Sequence, residues 1–146
     1  LMVSFDRTKV YSPLIPGEYI NYKQILPTTW TTALRVDRVA LMGAIERAAL
    51  MAREGNNNLL RLKIDEDNLT IQANAERGAV VERVSIDFEG SPLDIAFNAR
   101  YLMDVIKNID TVDMAMRFNT NVSPCVICPV SGNRYTYLVL PVRVAE

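Results

Sequence analysis

Histidine is absent from the 146 residues, and cysteine occurs only twice. Without an imidazole the chain cannot form a Ser-His-Asp triad, a Cys-His dyad or an HExxH zinc site, so most familiar hydrolase chemistry is excluded. The sequence also lacks both an apolar run of roughly 18 residues, the length of a membrane helix, and the basic and apolar pattern of an export signal. We therefore expect a soluble protein without an export signal; the cytoplasm is the expected location, and neither a metal nor a cofactor is predicted.

An excess of charge of one sign is lacking as well. Sixteen basic residues against 17 acidic residues give a net charge of −1, and 49% of the residues are hydrophobic. This composition is typical of one ordinary globular domain. If nucleic acid is a partner, it must be bound by a local stripe of cations, because the surface as a whole is not basic.

Alternation of apolar and polar residues, the period of half-buried strands, recurs through most of the chain. Residues 60–64 and 69–73 alternate on either side of the polar turn 65–68, which predicts a β-hairpin. The same alternation predicts further strands at residues 84–88, 93–97, 114–118 and 135–139.

Two segments show helical spacing. Asp37 is a good N-cap for a helix that ends near Gly55, with an apolar stripe formed by Leu41, Met42, Ile45, Ala48, Ala49 and Ala52. Asn98 is the corresponding cap for a second helix, and residues 36–45 and 97–106 match without a gap. Three strands follow each helix, so residues 31–88 and 92–142 are predicted to be two copies of a β-α-β-β-β unit. The expected fold is α+β, with two helices packed on antiparallel sheets.

Residues 1–27 fit neither copy. They predict a strand pair at residues 2–5 and 9–11, followed by an extended segment. A single hairpin buries too little area to be stable alone. We therefore expect residues 1–27 to be the last strands and linker of a preceding domain, residues 28–146 to form a complete domain, and the chain to be a C-terminal fragment.

Two motifs that could carry chemistry have simpler interpretations. Cys125 and Cys128 form a C-x-x-C, but their Val and Ile neighbours are typical of a strand, where positions three apart point to opposite faces. Two buried thiols are therefore expected instead of a redox pair or half of a zinc site. The acidic residues 65–67 are expected to be a solvated hairpin turn and not a metal site.

Three separated segments, residues 17–27, 97–105 and 137–143, resemble the bacterial sliding clamp family, the beta subunit of DNA polymerase III. The resemblance covers the whole chain and implies the DNA clamp fold. It also implies a non-catalytic processivity subunit: a homodimeric ring that encircles duplex DNA without reading its sequence, with helices lining the hole. The implied protein partners are the polymerase III catalytic subunit, the clamp loader and other proteins that bind through short peptide motifs.

The same resemblance implies three groups of functional residues. Many family members have Pro where Ile20 stands and Arg where Gln24 stands, and residues 145–146 extend past the usual end, so peptide preference here is expected to differ. The peptide-binding cleft would contain Ile20, Gln24, Ile25, Asn98, Tyr101, Pro124, Leu138, Leu140, Pro141, Val142 and Arg143. The DNA-facing cations would be Arg35, Arg38, Arg53, Arg100 and Lys107, and the subunit contact would include Leu50 and Met51.

Alternatives remain open from the residues themselves. The cations are also consistent with a solvated helix surface, and Asp104 interrupts the pair formed by Arg100 and Lys107. A peptide-binding adaptor with the same fold that does not encircle DNA is the second functional hypothesis. An enzyme that uses carboxylates is the third.

Overall fold

The computed structural model describes residues 1–55, 58–76 and 78–144. Three helices and eleven strands are assigned within these ranges. The helices are α1 (Tyr22–Ile25), α2 (Arg38–Glu54) and α3 (Ala99–Lys107). The strands are β1 (Met2–Phe5), β2 (Thr8–Tyr11), β3 (Thr32–Asp37), β4 (Leu59–Ile64), β5 (Asn68–Ala75), β6 (Gly78–Ser85), β7 (Asp87–Gly90), β8 (Leu93–Asn98), β9 (Asp113–Phe118), β10 (Cys125–Pro129) and β11 (Tyr137–Val139).

Both long helices begin where the sequence predicts them. The Asp37 side chain accepts a hydrogen bond from the Ala40 amide at 2.7 Å, and the Asn98 side chain accepts one from the Arg100 amide at 2.9 Å. Each cap satisfies a backbone donor that has no partner inside the helix. The predicted stripe of α2 is buried except for Met42, which is half-buried, and Ala44 joins it.

The strands form two large antiparallel sheets and one separate hairpin, β1–β2. The four-stranded sheet has the order β6-β5-β4-β8, and the five-stranded sheet has the order β11-β10-β9-β3-β7. The predicted hairpin of residues 60–73 is confirmed, with Leu62 paired to Ile71. The two sheets share one apolar core with α2 and α3, which also contact each other.

The two halves of the domain exchange strands in the same way. Strand β3 leads into α2 but pairs with β9, which follows α3, and Asp37 is opposite Asp113. Strand β8 leads into α3 but pairs with β4, which follows α2, and Asn98 is opposite Leu59. This reciprocal pairing gives the two halves the same topology and confirms the duplicated β-α-β-β-β unit.

Two local predictions were wrong. Residues 84–88 were predicted to be one strand, but the strand is interrupted at Ile86. The two parts, β6 and β7, belong to different sheets. The alternation of side chains continues through this break, so the sequence pattern does not reveal it. Within the segment predicted to be extended, residues 22–25 form the short helix α1, because the Leu26 amide bonds to the Tyr22 carbonyl at 3.1 Å.

The C-x-x-C segment lies on β10, as predicted. Cys125 is fully buried in the core, whereas Cys128 is 9% exposed and lies outside the core cluster, and both are free thiols. Burial raises the pKa of the Cys125 thiol far above its usual range. The prediction of two buried, unpaired cysteines is confirmed.

Candidate functional site

The C-terminal segment passes from one large sheet to the other. Strand β11 pairs with β10 in the five-stranded sheet, with Val139 opposite Cys125. Beyond the end of β11, the Val142 amide donates a hydrogen bond to the Ala96 carbonyl at 2.8 Å. Ala96 belongs to β8, the edge of the four-stranded sheet that leads directly into α3. Residues 140–143 therefore bridge the two sheets beside the N-terminus of α3.

This junction gathers most of the residues predicted for the cleft. Helix α3, which begins after Asn98 and carries Tyr101, packs against both β8 and β11. Tyr101 is 59% exposed and Leu140 is 65% exposed, so the junction presents large apolar side chains to solvent. Pro141 and Val142 are half-buried, and Arg143 is exposed. Pro124 immediately precedes Cys125, which pairs with Val139. It therefore lies at the end of the β10–β11 ladder from which residues 140–143 continue.

The linker residues predicted for the cleft do not join this cluster. Ile20 precedes α1, and Gln24 and Ile25 lie on it. All three side chains are exposed, as are residues 1–25 generally, so none of them is buried against the C-terminal segment. The structure therefore brings together the part of the predicted cleft that residues 98–143 contribute, and it leaves the linker part in solvent.

Most of the predicted DNA-facing cations lie on the helices. Arg100 and Lys107 are exposed in the first and last turns of α3, and Arg53 is exposed in the last turn of α2. None of these three forms an ion pair among the residues that the structure describes. Arg38, at the start of α2, is half-buried, and its Nε donates to the Thr111 carbonyl at 3.2 Å.

Arg35 is placed differently from the other cations. Its neighbours on β3, Leu34 and Val36, face the core, so Arg35 lies on the sheet face opposite to the helices. Its guanidinium lies 2.6 Å from the Asp113 carboxylate and 3.9 Å from that of Asp87. The hydrogen bond to Asp113 and both carboxylates raise the pKa of Arg35. Arg35 therefore lies on a different face from the helix cations, and its predicted contact with DNA stays a prediction.

A polar hollow of about 260 Å³ lies beside Arg35, and three aspartates, Asp37, Asp87 and Asp113, line it. Asp113 and Asp87 pair with Arg35, and Asp37 caps α2. Within residues 1–55, 58–76 and 78–144, no group of three or more Cys, Asp or Glu side chains has an arrangement that could hold a metal ion. The predicted acidic turn at residues 65–67 joins β4 to β5, with the Asp65 amide bonded to the Asn68 carbonyl at 3.2 Å.

The predicted subunit contact lies next to an open sheet edge that the sequence did not reveal. Leu50 is 64% exposed on α2, whereas Met51 packs against the core. Arg47, one turn earlier, forms two hydrogen bonds of 2.9 and 2.8 Å to the Glu82 carboxylate on β6. Its guanidinium lowers the pKa of Glu82. Strand β6 ends the four-stranded sheet, so this half of α2 lies beside an unpaired strand edge.

The family model described as "DNA polymerase III beta subunit, C-terminal domain" matches residues 23–143. The chain belongs to this family. No helix in the described part of the chain is long and apolar enough to cross a membrane.

Named relatives agree with the family match. The beta sliding clamp of Synechococcus elongatus is 38% identical over 135 residues, which is 90% of this chain and 36% of that protein. The beta sliding clamp of Staphylococcus aureus is 34% identical over 134 residues, again 90% of this chain and 36% of the relative. The chain thus spans a little over a third of the length of these relatives.

Solved structures of beta subunits share the fold. The Thermotoga maritima subunit matches with a TM-score of 0.85 and 33% identity, over 88% of this chain and 35% of that one. The Eubacterium rectale protein matches with a TM-score of 0.90 and 30% identity, over 97% and 38%. A Pseudomonas aeruginosa clamp with a TM-score of 0.85 and 28% identity, over 91% of this chain and 36% of that one, was solved bound to griselimycin.

Proposed function

We propose that this chain is the C-terminal part of a replicative sliding clamp that encircles duplex DNA as a ring and holds DNA polymerase III on it. The observation that carries the proposal is the duplicated unit, whose two helices lie side by side on one layer and present exposed cations. The clamp itself is non-catalytic, needs no cofactor and works in the cytoplasm. Its contribution to replication is processivity.

Contact with DNA is assigned to the helix layer. Arg53, Arg100 and Lys107 have no carboxylate partner among the described residues, so their charges are available to phosphates. Phosphate contacts are independent of sequence and sensitive to salt, as sliding requires. Asp104 lies between Arg100 and Lys107 on α3 and weakens the local field, which suits a loose grip on DNA.

Partner binding is assigned to the junction of α3 with the C-terminal segment. A preformed apolar surface with a few polar groups at its rim can bind a short peptide that orders only a few residues. Tyr101, Leu140 and Val142 provide the apolar surface, and Asn98 and Arg143 provide polar groups. In the proposed full-length protein, Ile20, Gln24 and Ile25 of the linker form the neighbouring wall.

The N-terminal segment supports a boundary between two domains near residue 27. Within the described residues, strands β1 and β2 pair only with each other and have no buried residue, although they carry Met2, Val3, Phe5 and Tyr11. An exposed apolar hairpin fits the last strands of a preceding domain whose remainder would cover them. We assign residues 1–27 to that middle domain and its linker, and residues 28–146 to the C-terminal domain.

Ring closure is assigned to the surface around Leu50 and Met51. Leu50 is exposed beside the open edge of β6, and an unpaired strand edge is a ready template for pairing with another chain. The partner surface would lie in the first domain of a second subunit, giving a homodimer.

A peptide-binding adaptor that never encircles DNA is the second candidate, favoured by the interruption of the α3 cations by Asp104. The two proposals differ in topology. A ring loaded by the clamp loader onto nicked circular duplex stays bound during gel filtration and is released when the circle is linearised. An adaptor that does not encircle DNA would show the same DNA binding on circular and on linearised duplex.

Peptide binding is tested by calorimetric titration of the full-length protein with a synthetic peptide of the polymerase III catalytic subunit that contains its clamp-binding segment. Leu140→Asp is expected to abolish binding, whereas Val130→Asp, an exposed residue beyond the opposite end of β10, is the control. Ring size is measured in parallel. Unchanged affinity of Leu140→Asp in an intact ring would show that the C-terminal segment is not the site.

The chain alone is expected to bind the same peptide weakly. In the proposed full-length protein, the opposite wall of the cleft would come from middle-domain strands that precede Leu1. If the absence of that wall removes on the order of 100 Å² of buried apolar peptide surface, at about 25 cal/mol per Å², binding loses about 2.5 kcal/mol. This loss corresponds to about 70-fold in affinity.

A further inference from the structure

A row of side chains on neighbouring strands connects Leu138 to the cation–aromatic pair formed by Arg117 and Trp30. Arg117 on β9 is opposite Val126 on β10, and Val126 is opposite Leu138 on β11. All three residues are half-buried and alternate with core residues, so they share the face of the five-stranded sheet that points away from the helices. The row ends where the Arg117 guanidinium lies 4.0 Å from the centre of the Trp30 ring.

The Trp30–Arg117 pair is held in place from both sides. The Asn119 side chain donates to the Thr29 carbonyl at 2.9 Å, and the Thr31 amide donates to the Phe118 carbonyl at 3.0 Å. These bonds fasten the residues on either side of Trp30 to the end of β9. Between Trp30, Arg117 and Val126 lies a notch of about 30 Å³, no larger than one water molecule. We call this surface, with its small notch instead of a deep pocket, the Trp30–Arg117 platform.

The platform carries a charge without a counter-charge. Arg117 forms no ion pair among the residues that the structure describes, and Trp30 is 43% exposed. The contact with the indole holds the guanidinium over the ring, and none of its N–H groups donates to a carboxylate of the described residues. A carboxylate is the group that matches such a fork.

From these observations we infer that the Trp30–Arg117 platform is a second contact site for the peptide that binds the proposed cleft, and that it selects a Glu or Asp flanking the peptide's apolar anchor. The inference rests on the proposed peptide-binding function. Leu138 joins the two sites, since it belongs both to the predicted cleft and to the row that ends at Arg117.

The spacing fixes where the acidic residue should stand. Adjacent strands lie about 4.8 Å apart, so two spacings separate Leu138 from Arg117 by about 10 Å. An extended peptide advances about 3.3 Å per residue, and it crosses this distance in about three residues. The carboxylate is therefore expected about three positions from the anchor residue that contacts Leu138.

A nucleic acid strand fits this surface less well. Single-stranded DNA needs a groove with several cations together with aromatic platforms. Between Trp30 and Leu138 the row provides only one cation, Arg117, and an aliphatic residue, Val126. The composition therefore favours a short peptide that has one acidic side chain.

The test uses the full-length protein and the polymerase III peptide described above. Each position within four residues of the peptide's apolar anchor is replaced in turn by Glu and by Gln, and affinities are measured by fluorescence anisotropy. At one position about three residues from the anchor, Glu is expected to bind about threefold more tightly than Gln, the size of an exposed ion pair. Arg117→Gln is expected to remove this preference, and Arg117→Lys to retain part of it.

Controls separate the possible failures. Arg83→Gln, an exposed arginine on the other sheet, should leave the Glu/Gln ratio unchanged, and thermal unfolding confirms that each variant folds. A ratio near one at every position, or a ratio that survives Arg117→Gln, overturns the inference while the parent peptide still binds through Leu140. If no peptide binds the wild-type protein, the proposed function fails and the inference fails with it. Binding of a single-stranded oligonucleotide that is lost in Trp30→Leu would overturn the assignment to a peptide.

Discussion

The backbone amide of Val142 donates to the carbonyl of Ala96, and this bond joins the C-terminal segment to the strand that leads into α3. Ala96 is 5% exposed, so the bond forms at a well-packed part of the sheet edge. Two segments that are more than forty positions apart in sequence thereby present one surface, to which the proposed peptide site belongs.

Hydrogen exchange in the 146-residue chain checks this relationship. The Val142 amide is expected to exchange slowly because it is bonded to the sheet, whereas the amide of the exposed Arg143 should exchange quickly. Residue-resolved exchange measured by NMR distinguishes the two amides. Equal, fast exchange of both would mean that the C-terminal segment does not dock on β8.

A glycine substitution tests the crossing between the two sheets. Gly90 has φ +104°, and a β-carbon there would lie 2.1 Å from the Thr31 carbonyl oxygen. Gly90→Ala is therefore expected to lower the free energy of unfolding by about 3 kcal/mol or more, since both strain and a backbone clash arise. Gly132→Ala is the matched control, because Gly132 has φ +79° with nothing within 4 Å of its β-carbon position. It should cost about 1 kcal/mol, and urea unfolding that gave equal losses would contradict this account.

The Arg47–Glu82 pair predicts a pH dependence. Hydrogen bonding to Arg47 lowers the pKa of Glu82 from its ordinary value of 4.5 in the folded state. The pair therefore stabilises the fold fully above about pH 4.5, and the contribution is lost as the pH falls through the lowered pKa. Wild type should be more stable than Glu82→Gln near neutral pH, and the difference should shrink on acidification. Chemical unfolding at a series of pH values measures this difference in the free energy of unfolding. Glu46→Gln, a substitution of an exposed residue, is the control and should not show the same pH-dependent difference.

Ring assembly is expected to depend on Leu50. In the full-length protein, Leu50→Glu should convert the dimer to monomer in analytical ultracentrifugation, because it places a charge at the proposed subunit contact. Val39→Glu is the control, since Val39 is 63% exposed at the other end of the same helix. The 146-residue chain itself should be monomeric or only weakly self-associated, and a stable ring-sized oligomer of this chain would contradict the assignment.

The helix cations predict a salt effect on DNA binding. Replacing Arg100 and Lys107 by Gln in the full-length protein should weaken binding to duplex DNA equally for all sequences. If each cation contacts one phosphate, the slope of log affinity against log salt should fall by about 0.9 for each cation removed. Arg61 and Lys63, two exposed cations on the sheet face away from the helices, are replaced by Gln as the control. An equal effect of both double substitutions would show that the helix layer does not face DNA.

Local sequence signals were sufficient for the two long helices, for most of the strands and for the family. Asp37 and Asn98 predict their helices because a short polar side chain at the cap accepts from a backbone amide only two or three residues ahead. The alternation that defines β4 and β5 likewise needs only neighbouring side chains. The internal match of residues 36–45 with 97–106 was enough to predict the duplication.

Tertiary structure decided how these elements combine. The break at Ile86, the orientation of Arg35 away from the helices and the row from Leu138 through Val126 to Arg117 all depend on which strands pair. Strand pairing between distant segments is set by the shared core and not by any short pattern, because alternation gives the face of a side chain only relative to its own strand. The sequence by itself therefore determined the two long helices, most of the strands and the family of this protein. Only the packed structure decided which of its charged and aromatic side chains meet, because those contacts depend on the pairing of distant strands.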